Sequence, residues 1–230
     1  MDFSYLDRNI AEVRARIESA KAEAGRTDEI TLVAAVKSGE VDEINYLHRA
    51  LGVNDVGENR VQQLLERYDR LDKEGLRIHF IGHLQTNKVK YIIDKVHMIH
   101  SVDSERLAVE IDRQAAKHGT VMKVLVEINS GREENKDGVM PEEAAALSLA
   151  VAKLPNVELC GFMTMAPVCE NRADYRKYFD EISALALDIW QKTLDNKGNP
   201  ILSMGMSESF PEAIASGATT VRVGRRLFEK

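Results

Sequence analysis

The sequence predicts an α/β chain folded as a single (β/α)8 barrel of the TIM type with an extra N-terminal helix. Three observations carry that prediction. Short apolar runs alternate with amphipathic stretches eight times, no linker or composition break interrupts them, and no Gly-rich dinucleotide fingerprint follows any run. Such alternation closes into a barrel or lies in a doubly wound open sheet. The missing fingerprint weighs against the open sheet. The 230 residues are expected to form one domain, 1–230, slightly under the ~250 residues typical of such barrels.

Each element has its own reason. Phe3, Leu6, Ile10, Val13, Ile17, Ala20 and Ala24 recur at spacings of three and four, which is one apolar stripe on a helix over 3–24. Gly25 stops it. The run "ITLVAAVK" (30–37) is apolar at both alternating positions and suits a parallel strand covered on both faces. The pattern continues as helix 41–50, strand 51–56, helix 59–70, strand 78–81, helix 86–94, strand 97–102, helix 104–118 and strand 121–128. It ends as helix 141–153, strand 157–164, helix 173–194, strand 200–205, helix 210–216 and strand 218–223. "GREENKDG" (131–138) reads as a charged loop.

Composition bounds the function. With 44% hydrophobic residues and a net charge of −6, the chain has ample core and no basic field for nucleic acid or an anionic membrane. Two cysteines, Cys160 and Cys169, in no metal-like pairing suit a reducing cytosol. The N-terminus is charged and helical in pattern, unlike a signal peptide. No apolar stretch approaches the ~20 residues of a membrane span. A cytoplasmic location follows as the expectation.

Function in a parallel barrel sits at the C-terminal ends of the strands. Lys37 falls at such an end, with Ala34, Ala35 and Gly39 keeping its surroundings small. Partial burial there would lower the pKa of the amine and make it nucleophilic toward aldehydes; a lysine snorkelling to solvent is the plainer reading. "SMGMSESFPEAI" (203–214) leads from the seventh strand into a helix, with close backbone approach at Gly205, a hydroxyl at Ser207, and Ser209 and Glu212 spaced as a capping box. The eighth strand ends in "RVGRR" (222–226), where Gly224 can bring its amide close to a ligand. Loops after strands seven and eight commonly hold phosphate. An amine facing a phosphate site suits a Schiff-base aldolase acting on a phosphorylated sugar, or pyridoxal 5′-phosphate (PLP) held as an internal aldimine.

Three further residues stand out. Asn59, in "GENRVQ", is either a ligand donor or the N-cap of the following helix. His79 and His83 are four apart but separated by a strand end and Gly82, so they do not share a helix face and metal binding is not expected. Arg222 interrupts an apolar strand, and a buried arginine needs an acceptor. Facing the axis, it could meet a pyridine nitrogen; otherwise it pairs with a carboxylate or lies exposed.

"VAAVKSG", "GENRVQ", "HFIGHLQTNK", "GFMTMAP", "LSMGMSESF" and "VRVGRRLF", in that order from Arg26 to Phe228, resemble the pyridoxal phosphate homeostasis proteins. The resemblance implies a PLP-carrying barrel related to the N-terminal domain of bacterial alanine racemase, with the cofactor covalently on Lys37. It implies phosphate contacts from Ser207 and the amides around Gly224, Arg222 at the pyridine nitrogen, and Asn59 and Met204 along the ring. Arg225 stands where the family often has a small hydroxyl residue, which leaves its amide but removes one hydroxyl contact. Glu229 replaces the usual glycine after "LF".

A permanently charged guanidinium at the ring nitrogen disfavours a pyridinium and so restrains carbanion chemistry. Related racemases take a second base from a further β-domain, for which a chain ending at Lys230 leaves no room. The expectation is therefore a monomeric carrier that holds PLP and supplies it to apo-enzymes, without catalytic residues. A weak racemase and a PLP-free Schiff-base aldolase are the alternatives.

Overall fold

The computed structural model describes residues 2–195 and 198–230; Met1, Asn196 and Lys197, which the expected 1–230 domain includes, lie outside the described residues. The first element is a helix, α1 (Ser4–Glu23), whose stripe buries Leu6, Ile10, Val13, Ile17 and Ala20. Gly25, at φ +65°, ends it in the left-handed region that glycine reaches without strain.

Among the described residues eight strands follow: β1 (Thr31–Ala35), β2 (Asp55–Glu58), β3 (Arg77–Phe80), β4 (Met98–Val102), β5 (Met122–Ile128), β6 (Val157–Thr164), β7 (Ile201–Ser203) and β8 (Thr220–Val223). They pair in parallel in chain order and close through β8 onto β1, with Val33 opposite Arg222. The closed (β/α)8 barrel expected from the alternation is the fold.

The connecting helices are α2 (Val41–Arg49), α3 (Val61–Arg67), α4 (Glu105–Lys117), α5 (Ala144–Val151), α6 (Arg172–Asp188), α7 (Phe210–Ala215) and α8 (Arg225–Phe228). Between β3 and β4 the expected helix 86–94 is a 3-10 stretch, Thr86–Tyr91. A π turn, Ile189–Thr193, extends α6. α1 packs outside the barrel against α7 and α8. No helix of the described residues is long and apolar enough to cross a membrane.

One strand is displaced from its expected position. The residues read as a strand over 51–56 are partly consumed in ending α2. Gly52 adopts φ +64° and donates to the His48 carbonyl at 3.1 Å, while the Val53 amide donates to Leu47 at 3.0 Å. This is a glycine C-cap, and β2 begins only at Asp55.

Strand alternation divides the side chains into two sets. Ile78, Phe80, Ile99, Val124, Val126, Phe162, Leu202, Val221 and Val223 join the apolar layer between barrel and helices. The opposite face of β4, β5 and β6 supplies a small separate cluster of Met98, Leu125 and Met163. Much of the remaining interior is polar: Asp55, His79, His100, Glu127, Ser203 and Arg222 are all buried.

Candidate functional site at the barrel mouth

The C-terminal ends of the strands surround a cavity of about 460 Å³, within the usual range for small-molecule sites. Six of the eight residues expected to hold a cofactor line it: Lys37, Asn59, Ser207, Arg222, Gly224 and Arg225. They come from the ends of β1, β2, β7 and β8, so closure of the barrel assembles them.

Lys37 is exposed, not buried as expected. β1 ends at Ala35, and the chain turns over Val36–Gly39 with the Gly39 amide donating to the Val36 carbonyl at 3.0 Å. The lysine therefore rides on a turn at the rim. That turn is held from α3: Gln63 Nε2 donates to the Lys37 carbonyl at 2.8 Å, and Arg67 Nη1 donates to the carbonyls of Val36 (3.0 Å) and Gly39 (3.2 Å).

Arg222 faces the barrel axis and is 4% exposed. The carboxylate partner considered for it is not what it bonds. Nη1 donates to the Ser203 carbonyl (2.7 Å) and hydroxyl (2.8 Å), and Nη2 donates to the Thr164 carbonyl (2.9 Å). Of five guanidinium N–H donors, Nε–H and one on Nη2 have no partner among the described residues. Burial pushes its pKa down to about 10, and Glu127 opposes the shift.

Asn59 is not a helix cap, because α3 starts at Val61 behind Arg60. Its side-chain oxygen is buried without a partner. Ser207 is 8% exposed, and its backbone carbonyl accepts from Arg226 Nε at 3.3 Å. Ser209 precedes α7, but its hydroxyl accepts from the Met206 amide at 3.2 Å; the expected capping box does not form. Gly224 lets β8 approach β1, since a Cβ there would lie 2.8 Å from the Ala35 carbonyl oxygen.

Two expected residues sit behind the cavity wall. Met204 is 1% exposed and belongs to the core. Gly205 (φ +89°) packs against α7, where a Cβ would lie 2.8 Å from Phe210 Cα, and its carbonyl accepts from the Arg222 amide at 3.0 Å. His79 lies inside the barrel. His83 is at the rim, with Nδ1 at 2.9 Å from Asp137 and 3.8 Å from Asp103. His83, Asp103 and Asp137 form an exposed to half-buried cluster.

Sequence reasoning missed Glu127. It is 3% exposed on β5, and burial pushes its carboxyl up to about 8, reinforced by Asp137 and opposed by Arg222. The signal was present: like Arg222, it is a charge inside an apolar run, "VLVEI".

Residues 6–229 match the family described as "Alanine racemase, N-terminal domain". The pyridoxal phosphate homeostasis protein of Aquifex aeolicus is 43% identical over 220 residues, covering 95% of both chains. The chain belongs to the pyridoxal phosphate homeostasis protein family. The family member of Pseudomonas aeruginosa is 36% identical over 98% of this chain and 95% of its own. Among solved structures, PipY of Synechococcus elongatus with PLP bound superimposes with a TM-score of 0.81 at 29% identity, covering 97% of this chain and all of that one (100%).

Proposed function

We propose that this chain, as a single unit over 1–230, binds PLP in the mouth cavity and acts as a cytoplasmic, monomeric carrier that buffers the cofactor and supplies it to apo-enzymes. The observation that carries the reading is the buried Arg222, which retains two unpaired N–H donors on the wall of the cavity that Lys37 also lines. A pyridine nitrogen is an acceptor that such donors fit. The relatives' names and the PLP in PipY support the same ligand.

The residues present fit the group. The Lys37 amine would condense with the cofactor aldehyde to a covalent imine with loss of water. The Ser207 hydroxyl and the amides at Gly224 and Arg225 would hold the phosphate. Asn59, whose buried oxygen has no partner, would meet a polar ring substituent. Met204 and Gly205 would act from behind, by shaping the wall. PLP supplies an electrophilic aldehyde and an electron sink; a guanidinium at its nitrogen weakens the sink.

A weak racemase needs a group in the barrel that exchanges a proton. Glu127 has a suitable pKa, about 8, but it lies outside the cavity lining, which favours the carrier.

The test is borohydride reduction of the PLP-loaded protein followed by peptide mapping. The adduct is expected on Lys37, and Lys37→Ala should lose both it and the yellow absorption. An adduct on Lys88 or Lys136, or none at all, would sink the reading. Incubation with single-enantiomer amino acids should leave their chirality unchanged.

A further inference from the structure

A file of buried polar groups crosses the barrel beneath Arg222. Ser203 Oγ lies 2.8 Å from Arg222 Nη1 and 3.0 Å from His100 Nδ1. His100 Nε2 lies 2.9 Å from His79 Nδ1, and His79 Nε2 lies 2.8 Å from Asp55 Oδ1. Arg77 closes the far end, with Nε at 2.7 Å from the same Asp55 oxygen. The five members from Arg222 to Asp55 come from β8, β7, β4, β3 and β2.

The proton positions along this file follow from its two ends. Arg222 can only donate, so Ser203 Oγ accepts from it. At the other end, burial pushes the Asp55 carboxyl up, but the hydrogen bonds from His79 and Arg77 outweigh that and hold it at about 2. An ionised carboxylate only accepts, so His79 Nε2 carries hydrogen. His79 Nδ1 is then free to accept from His100 Nε2–H, and His100 Nδ1 accepts the Ser203 hydroxyl hydrogen. Every link is satisfied with both rings neutral. A second proton on His79 would reverse the two links above it and leave the Ser203 hydrogen without an acceptor in a site where such a loss is costly. It would also set a positive charge beside His100, whose own pKa is driven well down by burial and by His79 and Arg222. The other titratable neighbour is His97, whose ring centroid is 5.6 Å from that of His79; burial first, then His79, Lys123 and Arg77, lower its pKa, and Asp55 opposes them.

The geometry points to His79, His100 and Ser203 as positioning residues for Arg222: a one-way donor chain, running from Arg222 to Asp55, that fixes the guanidinium so its two remaining N–H groups meet the ring nitrogen of bound PLP. This role rests on the PLP reading above. Ser203 supplies both acceptors of Nη1, and His100 fixes which way the Ser203 hydroxyl points. Loss of either link leaves a buried group unpaired and lets the guanidinium turn.

Two measurements test it. Long-range ¹H–¹⁵N correlation on the ¹⁵N-histidine-labelled, PLP-free full chain should show His79 and His100 both as neutral Nε2–H tautomers. An Nδ1–H or a cationic ring at either position would overturn the chain. This arm needs no variant to fold. In the second arm, Ser203→Ala and His100→Gln are loaded with PLP, and the visible band is followed against pH. The proton affinity of the ring nitrogen should change on the order of tenfold in each, the equivalent of about one pKa unit, whereas His97→Gln titrates like wild type. Variants that carry PLP yet titrate like wild type would overturn the positioning role. Failure of the wild type to take up PLP would instead defeat the PLP reading and this role with it, and the tautomers would still show whether the chain itself was assigned correctly.

Discussion

Arg67 and Glu58 form a buried ion pair directly beneath the turn that bears Lys37, with Arg67 Nε at 2.9 Å from Glu58 Oε1. The same guanidinium accepts no freedom from its other side, because Nη1 is spent on the carbonyls of Val36 and Gly39. Burial pushes the Glu58 carboxyl up, and Arg67 opposes that shift. The pair is thus a brace between the end of β2 and the backbone on either side of Lys37.

Arg67→Met should break the brace. It leaves the buried Glu58 carboxyl and the Gly39 carbonyl without their Arg67 donor and the Val36 carbonyl with the Gly39 amide alone, a change worth about 3–5 kcal/mol when a buried pair loses one member. Urea unfolding measures the loss. Hydrogen exchange at the Gly39 amide, bonded to Val36, should speed up beyond what the global loss explains. Exchange at Gly39 that follows global stability alone would show that the turn is held by other contacts.

Gly82 is expected to tolerate no side chain. A Cβ there would run into the Asn59 carbonyl and lie 2.8 Å from Asn59 Cα. Since the clash is with backbone, Gly82→Ala must push the ends of β2 and β3 apart. It should lower stability by about 1–3 kcal/mol, the range for overpacking, and weaken PLP retention by moving Asn59. Gly25→Ala, with nothing within 4 Å of its Cβ, should lower stability through its positive φ while leaving retention unchanged.

Glu127 sets a pH dependence whose sign follows from its raised pKa. Its ordinary value is 4.5 and the fold holds it at about 8, so the folded chain binds the proton more tightly than the unfolded one. Its contribution to stability is greatest below about 4.5, falls as pH rises toward 8, and levels off above. Glu127→Gln should remove that part of the fall. Urea midpoints of the two proteins at pH 5 and pH 8 check it: the variant should gain on wild type at pH 8, and an equal difference at both pH values would refute the assignment.

Ser207→Ala should weaken PLP retention by about 1–3 kcal/mol, the scale of a hydrogen bond to a charged group. Competition with an apo-enzyme measures this, and retention equal to wild type would make Ser207 a turn residue. Arg222→Glu should favour a pyridinium and change the spectrum of the bound cofactor; an unchanged spectrum would remove Arg222 from the ring.

The periodic elements were legible because helix and strand spacing are local properties. The stripe on α1 and the eight alternations needed no knowledge of tertiary contacts. β2 was misplaced because Leu51 and Val53 look like strand residues but serve the end of α2. The burial of Lys37 was misjudged because an apolar run does not reveal where a strand yields to a turn. Arg222 was found from a charge in an apolar strand, and Glu127 could have been found the same way. The file from Asp55 to Arg222 was beyond such reading. Its members are spread over five strands and meet only because the barrel closes.

That closure also sets the order in which the mouth cavity is completed during synthesis. Val33 pairs with Arg222, so the first strand made is completed by the last. Pairings of such long sequence separation form late and cost loop-closure entropy. During synthesis the chain carries Lys37 long before Ser207, Arg222 or Gly224 exist. Under the proposed function, a chain interrupted before β7 would carry the Lys37 amine without the residues proposed to hold the phosphate and the ring nitrogen, so partial chains would bind the cofactor poorly.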